Sequence, residues 1–201
     1  MWYRGSAPPA NSQYIDNGVL HIVSRRSQGY PEVEVTTHSA NLAWRYGYFE
    51  ARMNWTAGQG SWPAFWLISE GWADTASCST PASEIDMMEG QGSTPNTFYG
   101  TIHTDSAGRC GGHRQNSNNW HNYPFSLANS WHIYAALWTP SQVCWYLDNL
   151  LSHCAPTYPD TDTSPMHMIL YQWAGGWEGG PNASTPNELH TEVDWVRVWQ
   201  K

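Results

Sequence analysis

The chain has 201 residues, a formal net charge of −8 and only 13% charged residues, against about 25% in an average soluble domain. That length suits a single domain over 1–201 with a sizeable core, and an acidic balance whose one basic cluster is Arg25-Arg26 argues against nucleic acid as a partner. No apolar run approaches the roughly 18 residues that cross a membrane, and Trp2-Tyr3-Arg4 follows Met1 without a leader, so a monomeric domain trimmed to its mature part is expected.

Short apolar runs punctuated by turn residues recur along the chain. They predict strands over 18–24, 32–38, 46–55, 64–69, 83–89, 97–104, 131–139, 143–147, 150–154, 166–173 and 192–199. Tyr48, Glu50, Arg52 and Asn54 alternate with Phe49, Ala51 and Met53, as half-buried strands do. No stretch of ten or more residues carries helical periodicity. The fold class expected is all-β, a sandwich. Residues 70–82, 105–122 and 155–165 are rich in Ser, Thr, Asn, Gly and Pro and read as loops, the usual place for binding elements.

One predicted strand carries charge where charge is costly. Ser83-Glu84-Ile85-Asp86-Met87-Met88-Glu89 sets three carboxylates within six residues, and burying a carboxylate costs several kcal/mol unless it is paired or protonated. On a regular strand Glu84, Asp86 and Met88 share one face while Ile85, Met87 and Glu89 share the other. A β-bulge around Met87-Met88 would return Glu89 to the face of Glu84 and Asp86. Two carboxyl groups about 5–5.5 Å apart are the geometry of a retaining glycosidase.

Composition points to the same class of partner. The chain holds 14 Trp and 11 Tyr but four Phe. Rings with a polar handle suit surfaces that are half apolar and half wet, as the faces of sugar rings are. Most of the tryptophans are nonetheless expected in the sandwich core. The four cysteines, Cys78, Cys110, Cys144 and Cys154, have no C-x-x-C spacing, which favours two disulfides in an exported protein over a zinc or redox site. Cys144-Trp145-Tyr146-Leu147 and Leu151-Ser152-His153-Cys154 look like the arms of one hairpin, so Cys144–Cys154 is the favoured pair, leaving Cys78 with Cys110. A three-residue loop would set the first pair opposite one another; a two-residue Asp148-Asn149 turn would offset them by one.

Eight stretches, in order, resemble glycoside hydrolase family 16, which includes laminarinases, lichenases, agarases and κ-carrageenases. They are Asn17-Gly18-Val19-Leu20, Tyr46-Gly47-Tyr48-Phe49-Glu50-Ala51-Arg52, Gly60-Ser61-Trp62-Pro63-Ala64-Phe65-Trp66-Leu67, Glu84-Ile85-Asp86-Met87-Met88-Glu89, Gly100-Thr101-Ile102-His103, Trp131-His132-Ile133-Tyr134, Tyr146-Leu147-Asp148 and Val193-Asp194-Trp195-Val196-Arg197-Val198. The resemblance implies a lectin-like jelly roll and a secreted, endo-acting retaining β-glycosidase of the laminarinase-like branch, acting on a β-1,3- or β-1,3(4)-glucan. By the same resemblance Glu84 is the nucleophile, Glu89 the general acid/base and Asp86 the residue between them. Trp62, Trp66, His103, Trp173 and Trp177 are implied to meet the sugar. No cofactor is implied for the chemistry, but a structural calcium is, held by backbone oxygens near Gly47 and by the Asp194 carboxylate. Two departures concern specificity. Pro31-Glu32-Val33-Glu34-Val35-Thr36-Thr37 stands where many laminarinases carry Ser-Gly-Arg, with Glu34 resembling a hydroxyl-binding acid of other branches, and Tyr171 and Trp173 add aromatics. The alternatives are a β-galactan endo-hydrolase on the same machinery and a non-catalytic carbohydrate-binding module.

Overall fold

The computed structural model describes residues 9–69, 82–109, 112–116, 120–158 and 164–200. Its strands, in chain order, are β1 (Gln13–Asp16), β2 (Val19–Arg25), β3 (Val33–Thr36), β4 (Gly47–Trp55), β5 (Ser61–Ser69), β6 (Ala82–Gly90), β7 (Thr97–Arg109), β8 (His113–Gln115), β9 (Trp120–Asn122), β10 (His132–Trp138), β11 (Gln142–Leu147), β12 (Leu150–Pro156), β13 (Met166–Ala174) and β14 (Glu188–Trp199). They form two antiparallel sheets. The back sheet runs β1-β2-β14-β4-β10-β11-β12; the front sheet runs β3-β13-β5-β6-β7-β8, with β9 also on β7. This is the expected all-β jelly-roll sandwich.

Period-two alternation places the core between the sheets. Phe49, Ala51, Met53 and Trp55 of β4 and Tyr134, Ala136 and Trp138 of β10 meet Phe65 and Leu67 of β5 and Ile85, Met87 and Met88 of β6. The other face of the front sheet is apolar too. Trp62, Ala64, Trp66, Ile68, Ile169 and Tyr171 pack there as a second cluster, with Trp173 against it. This corrects the expectation for tryptophan: among the described residues only Trp55, Trp138 and Trp145 lie buried in the core between the sheets. Others cover the outer surface, Trp131 under the Arg52 guanidinium and Trp195 under that of Arg197.

Strand β5 begins at Ser61, three residues earlier than expected, and so includes Pro63. Pairing with β6 starts only at Ala64, so the N–H that proline lacks falls where no neighbour needs it. The segment 105–122, read as a loop, instead contains the end of β7 and the short β8 and β9. Most of 70–82, with Cys78 and Cys110, lies outside the described residues.

Strand β6 carries the bulge that its sequence requires. Asp86 faces Thr101 and Glu89 faces Tyr99 across β7, so Met87 and Met88 together oppose Gly100. Both methionine side chains turn into the core. The back sheet braces this irregularity. The Trp145 indole N–H donates to the Asp86 carbonyl at 2.7 Å, and the His153 ring, stacked 4.3 Å from Trp145, has Nε2 3.2 Å from the Gly100 carbonyl. Gly100 must be glycine, because a Cβ there would come within 2.4 Å of the Trp145 ring.

The β11–β12 hairpin settles the cysteine register. Its turn is the two-residue Asp148-Asn149 form, both with positive φ, yet Cys144 and Cys154 stand directly opposite and are bonded. Ser152 is an extra residue between the Trp145–His153 and Tyr146–Leu151 pairs, and this second bulge cancels the expected offset.

Trp145→Phe tests the brace. Loss of the N–H leaves the buried Asp86 carbonyl unpaired and a small void beside it, so unfolding free energy should fall by roughly 2–4 kcal/mol. Turnover should fall while KM stays near its parental value, because Trp145 touches the bulge and not the cleft; an unchanged kcat in the folded variant would contradict the assignment.

Candidate active site

Cross-strand partners in an antiparallel sheet share a face, so register gives the layout of the cleft. One row reads Glu34, Tyr171, Ala64, Glu89 and Tyr99 across β3, β13, β5, β6 and β7. The next holds Trp66, Asp86 and Thr101, and beyond it Glu84 faces His103. The bulge has brought all three acids to one face. A pocket there is lined by Trp62, Ala64, Trp66, Glu84, Asp86, Glu89 and Tyr171.

Glu89 is held from one side only. Its Oε1 accepts the indole N–H of Trp62 at 3.0 Å and that of Trp177 at 3.2 Å. An oxygen already accepting two donors is the poorer place for a proton, so the acidic proton belongs on Oε2, which remains for a ligand. Trp177 reaches this position because Gly175 and Gly176 turn the chain out of β13. Gly176 has φ +61°, and a Cβ there would fall 2.1 Å from the Trp62 ring. The next residue anchors the turn: the buried Glu178 carboxylate accepts the Ser93 backbone N–H at 2.7 Å and its hydroxyl at 3.0 Å.

The electrostatics are those of three acids short of solvent. Burial first, and then the Asp86 charge, push the Glu89 carboxyl up to about 8, against the two indole donors and His103, which favour its ionised form. Burial also raises Asp86 to about 8, opposed by its hydrogen bond with Glu84. Glu84 is raised well above the carboxylate range by burial and by the neighbouring Asp86. The three therefore titrate as one coupled cluster that carries less than its full negative charge near neutral pH. The His103 ring lies beside the pair, its Nε2 3.2 Å from Asp86 Oδ2 and 4.0 Å from Glu84 Oε1.

The other expected site residues divide. Trp62 and Trp66 are both in the cleft, since β5 keeps strict alternation through Pro63. Trp173 stands 5.7 Å from Trp62, and Trp177, 44% exposed, forms an edge-on pair with Tyr99. Glu34 is separated from the acids by two intervening strands, β13 and β5, and lies beyond Tyr171, with its carboxyl raised to about 7 by burial and by Glu32. Gly47 and Asp194 are not brought together. Gly47 abuts the Trp199 backbone at one end of the β4–β14 pair, whereas Asp194 sits in a β14 bulge beside Arg52, whose guanidinium donates to its carboxylate at 2.6 Å. That carboxylate pairs with a guanidinium, and the two expected ligands stand apart along the β4–β14 ladder.

Sequence pattern alone does not single out Tyr99, Trp120 and Asp105, and places His113 only in a candidate binding loop. Tyr99 and Trp120 extend the aromatic wall from Trp177. His113 lies with Nε2 3.4 Å from His103 Nδ1, and its own Nδ1 is 2.7 Å from the Asp105 carboxylate. Only tertiary pairing of the three-residue β8 against β7 brings this second histidine to the first.

A carboxyl whose folded pKa is raised favours folding below its ordinary value and loses that contribution as pH climbs to the folded one. Between about pH 4.5 and 8 the unfolded chain gives up the Glu89 proton while the folded chain keeps it, costing up to roughly 1.4 kcal/mol per pH unit. Glu89→Gln should therefore match the parent in melting temperature near pH 4.5 and exceed it increasingly towards pH 8. Parallel melting curves at every pH would refute a protonated Glu89.

Comparison with known proteins agrees with this architecture. Residues 10–197 match the sequence profile described as Glycosyl hydrolases family 16. A β-glucanase of Rhodothermus marinus is 30% identical over 92% of this chain and 69% of its own length. A keratan-sulfate endo-1,4-β-galactosidase of Sphingobacterium multivorum is 30% identical over 98% of this chain and 48% of its own. The chain spans no more than about half the length of several relatives. Among solved structures, the laminarinase catalytic domain of Thermotoga maritima superposes with a TM-score of 0.77 at 23% identity, over 96% of this chain and 81% of that one. With its profile match spanning both sheets and the bulged strand of acids, the chain belongs to glycosyl hydrolases family 16 and is a glycoside hydrolase.

Proposed function

We propose that the protein is a secreted, endo-acting retaining β-glucanase that cleaves a β-1,3- or β-1,3(4)-linked glucan. The observation that carries this reading is the bulged strand: Glu84, Asp86 and Glu89 face one aromatic pocket, and Glu89 is raised to about 8 while two indoles fix its Oε1. In the first step Glu84, ionised when the proton of the coupled Glu84–Asp86 pair rests on Asp86, attacks the anomeric carbon as Glu89 passes its proton to the leaving glycosidic oxygen. In the second, Glu89 takes a proton from water, which displaces Glu84 with net retention. Asp86, hydrogen-bonded to Glu84, and His103 adjust how the cluster's protons are shared. Loss of the Glu84 charge on forming the covalent bond lowers the Glu89 pKa, so the same group serves as acid and then as base. Trp62, Trp66, Trp173 and Trp177 supply planes for sugar faces. Export is supported by the Cys144–Cys154 disulfide.

A second reading, an endo-hydrolase of a galactose-based polymer, draws on Glu34, Tyr171 and Trp173, which occupy one end of the cleft, and on the S. multivorum relative. Reducing-end release across laminarin, lichenan, agarose, carrageenan, keratan sulfate and β-1,3-galactan separates the two. Release from the galactans alone would displace the glucan reading, and release from none would remove both.

Glu84→Gln and Glu89→Gln should each lower turnover by about 1,000-fold or more. An aryl glycoside with a good leaving group should restore much of the loss in Glu89→Gln, because it needs little acid assistance, and little of it in Glu84→Gln; equal rescue would contradict the division of roles. Trp177→Phe keeps the ring but deletes a donor that favours ionised Glu89. Its alkaline limb of kcat/KM should move to higher pH, and an unmoved limb would show that the indole does not tune the acid.

A further inference from the structure

The back sheet holds a group of side chains that the hydrolytic reading does not use. We propose that His21, His190 and Glu192 form a binding site for a divalent metal of the zinc class, on the face of the sandwich opposite the cleft. His21 of β2 stands directly across from Glu192 of β14, and His190 lies two residues before Glu192 on the same face. The intervening Ile22 and Thr191 turn inward and are fully buried. One ligand atom from each of the three lies within 4.8 Å of the others.

A second, independent observation is that the ring nitrogens lack partners. His21 Nδ1 and His190 Nδ1 are both buried without a hydrogen bond. A buried imidazole nitrogen left unpaired is costly. Protonating His21 would pair it with Glu192 Oε1, 3.4 Å away, but would leave His190 Nδ1 as it was. A metal ion satisfies both rings and the carboxylate at once.

The surroundings are those of a ligand set held in place. Glu192 Oε2 accepts the Asn54 amide at 2.8 Å, which leaves Oε1 for the ion. His190 Nε2 lies 3.2 Å from Glu188 Oε2, and Arg25 Nε donates to Glu188 Oε1 at 2.7 Å. A carboxylate on the far nitrogen of a histidine fixes its tautomer and turns the other nitrogen's lone pair towards a metal. The Tyr14 ring stacks on His21 at 4.7 Å and holds its plane. Two imidazoles and one carboxylate suit Zn²⁺, with a water completing the tetrahedron, and suit the hard, oxygen-seeking Ca²⁺ poorly. An ion here would tie β2 to its neighbour β14 near the edge of the back sheet and stabilise the folded chain without entering the reaction.

The test uses the whole chain, stripped with chelator and titrated with zinc sulfate by calorimetry and by thermal melting. One Zn²⁺ per chain and a rise in melting temperature are expected. His190→Ala should weaken binding by more than about 100-fold and Glu188→Gln by about tenfold, with hydrolytic activity kept in both. The group formed by Glu84, Asp86 and His103 is the competing ligand set. Zinc binding that survives His190→Ala but is lost in Glu84→Gln would assign the ion to the catalytic acids and overturn the proposal. Absence of binding at ~100 µM zinc would overturn it as well.

Discussion

A single unpaired residue in β6 sets the phase of everything in the cleft. Without the bulge, Glu89 would point into the core beside Met87 and Phe65, where its charge would have no partner, and Met88 would turn out into the cleft. With it, the methionines fill the core and the acids gather outside. A bulge also leaves backbone groups unmatched, which in a buried strand is as serious as a misplaced side chain. The Trp145 indole answers the Asp86 carbonyl, His153 lies against the Gly100 carbonyl, and Gly100 makes room for the ring. The geometry of the front sheet is thus held by side chains of the back sheet.

Once three carboxylates share one dry face, their charges must be managed, and the cleft uses different means for different members. The Glu84–Asp86 pair shares a hydrogen bond and has His103 beside it. Glu89 instead receives neutral donors, two indole N–H groups on one oxygen. Neutral donors stabilise a carboxylate without the full effect of a cation, so burial still wins and the group remains an acid near neutral pH. The aromatic residues of the cleft consequently do two things: their faces form its walls, and the N–H edges of two of them orient the proton.

Much of this was legible in the sequence because it rests on local pattern. The spacing of Glu84, Asp86 and Glu89 on an apolar strand requires a bulge, and alternation along β4 and β14 predicts half-buried strands. What was hidden depends on tertiary pairing. Strands β1, β8 and β9 have three or four residues each, too few for a period to show, and β8 is what brings His113 and Asp105 to His103. The Cys144–Cys154 register needed a bulge at Ser152 that no hairpin rule supplies. The placement of tryptophan failed for a different reason: hydrophobicity cannot tell the inner face of a sheet from an aromatic outer face, and β5 is buried on both. Gly47 with Asp194 failed on register, since the two lie at separate points along the β4–β14 ladder.

The cleft row that begins at Glu89 continues through Ala64 and Tyr171 to Glu34, and its composition bears on which sugar is accepted. Alanine in the middle of the row leaves open floor between the acid and the tyrosine, with Trp62 and Trp173 along one side. A carboxyl raised to about 7 at the far end donates or accepts a hydrogen bond according to pH, whereas an arginine at that place could only donate. Stacking planes tolerate many sugars because every pyranose has an apolar face. Orientation of hydroxyls does not enjoy that tolerance, since a buried polar group left unpaired costs more than a stacked ring gains. On the function proposed above, discrimination between glucan and galactan would fall to the few polar groups at the end of the row, Glu34 foremost, while the bulged strand of acids would serve either substrate.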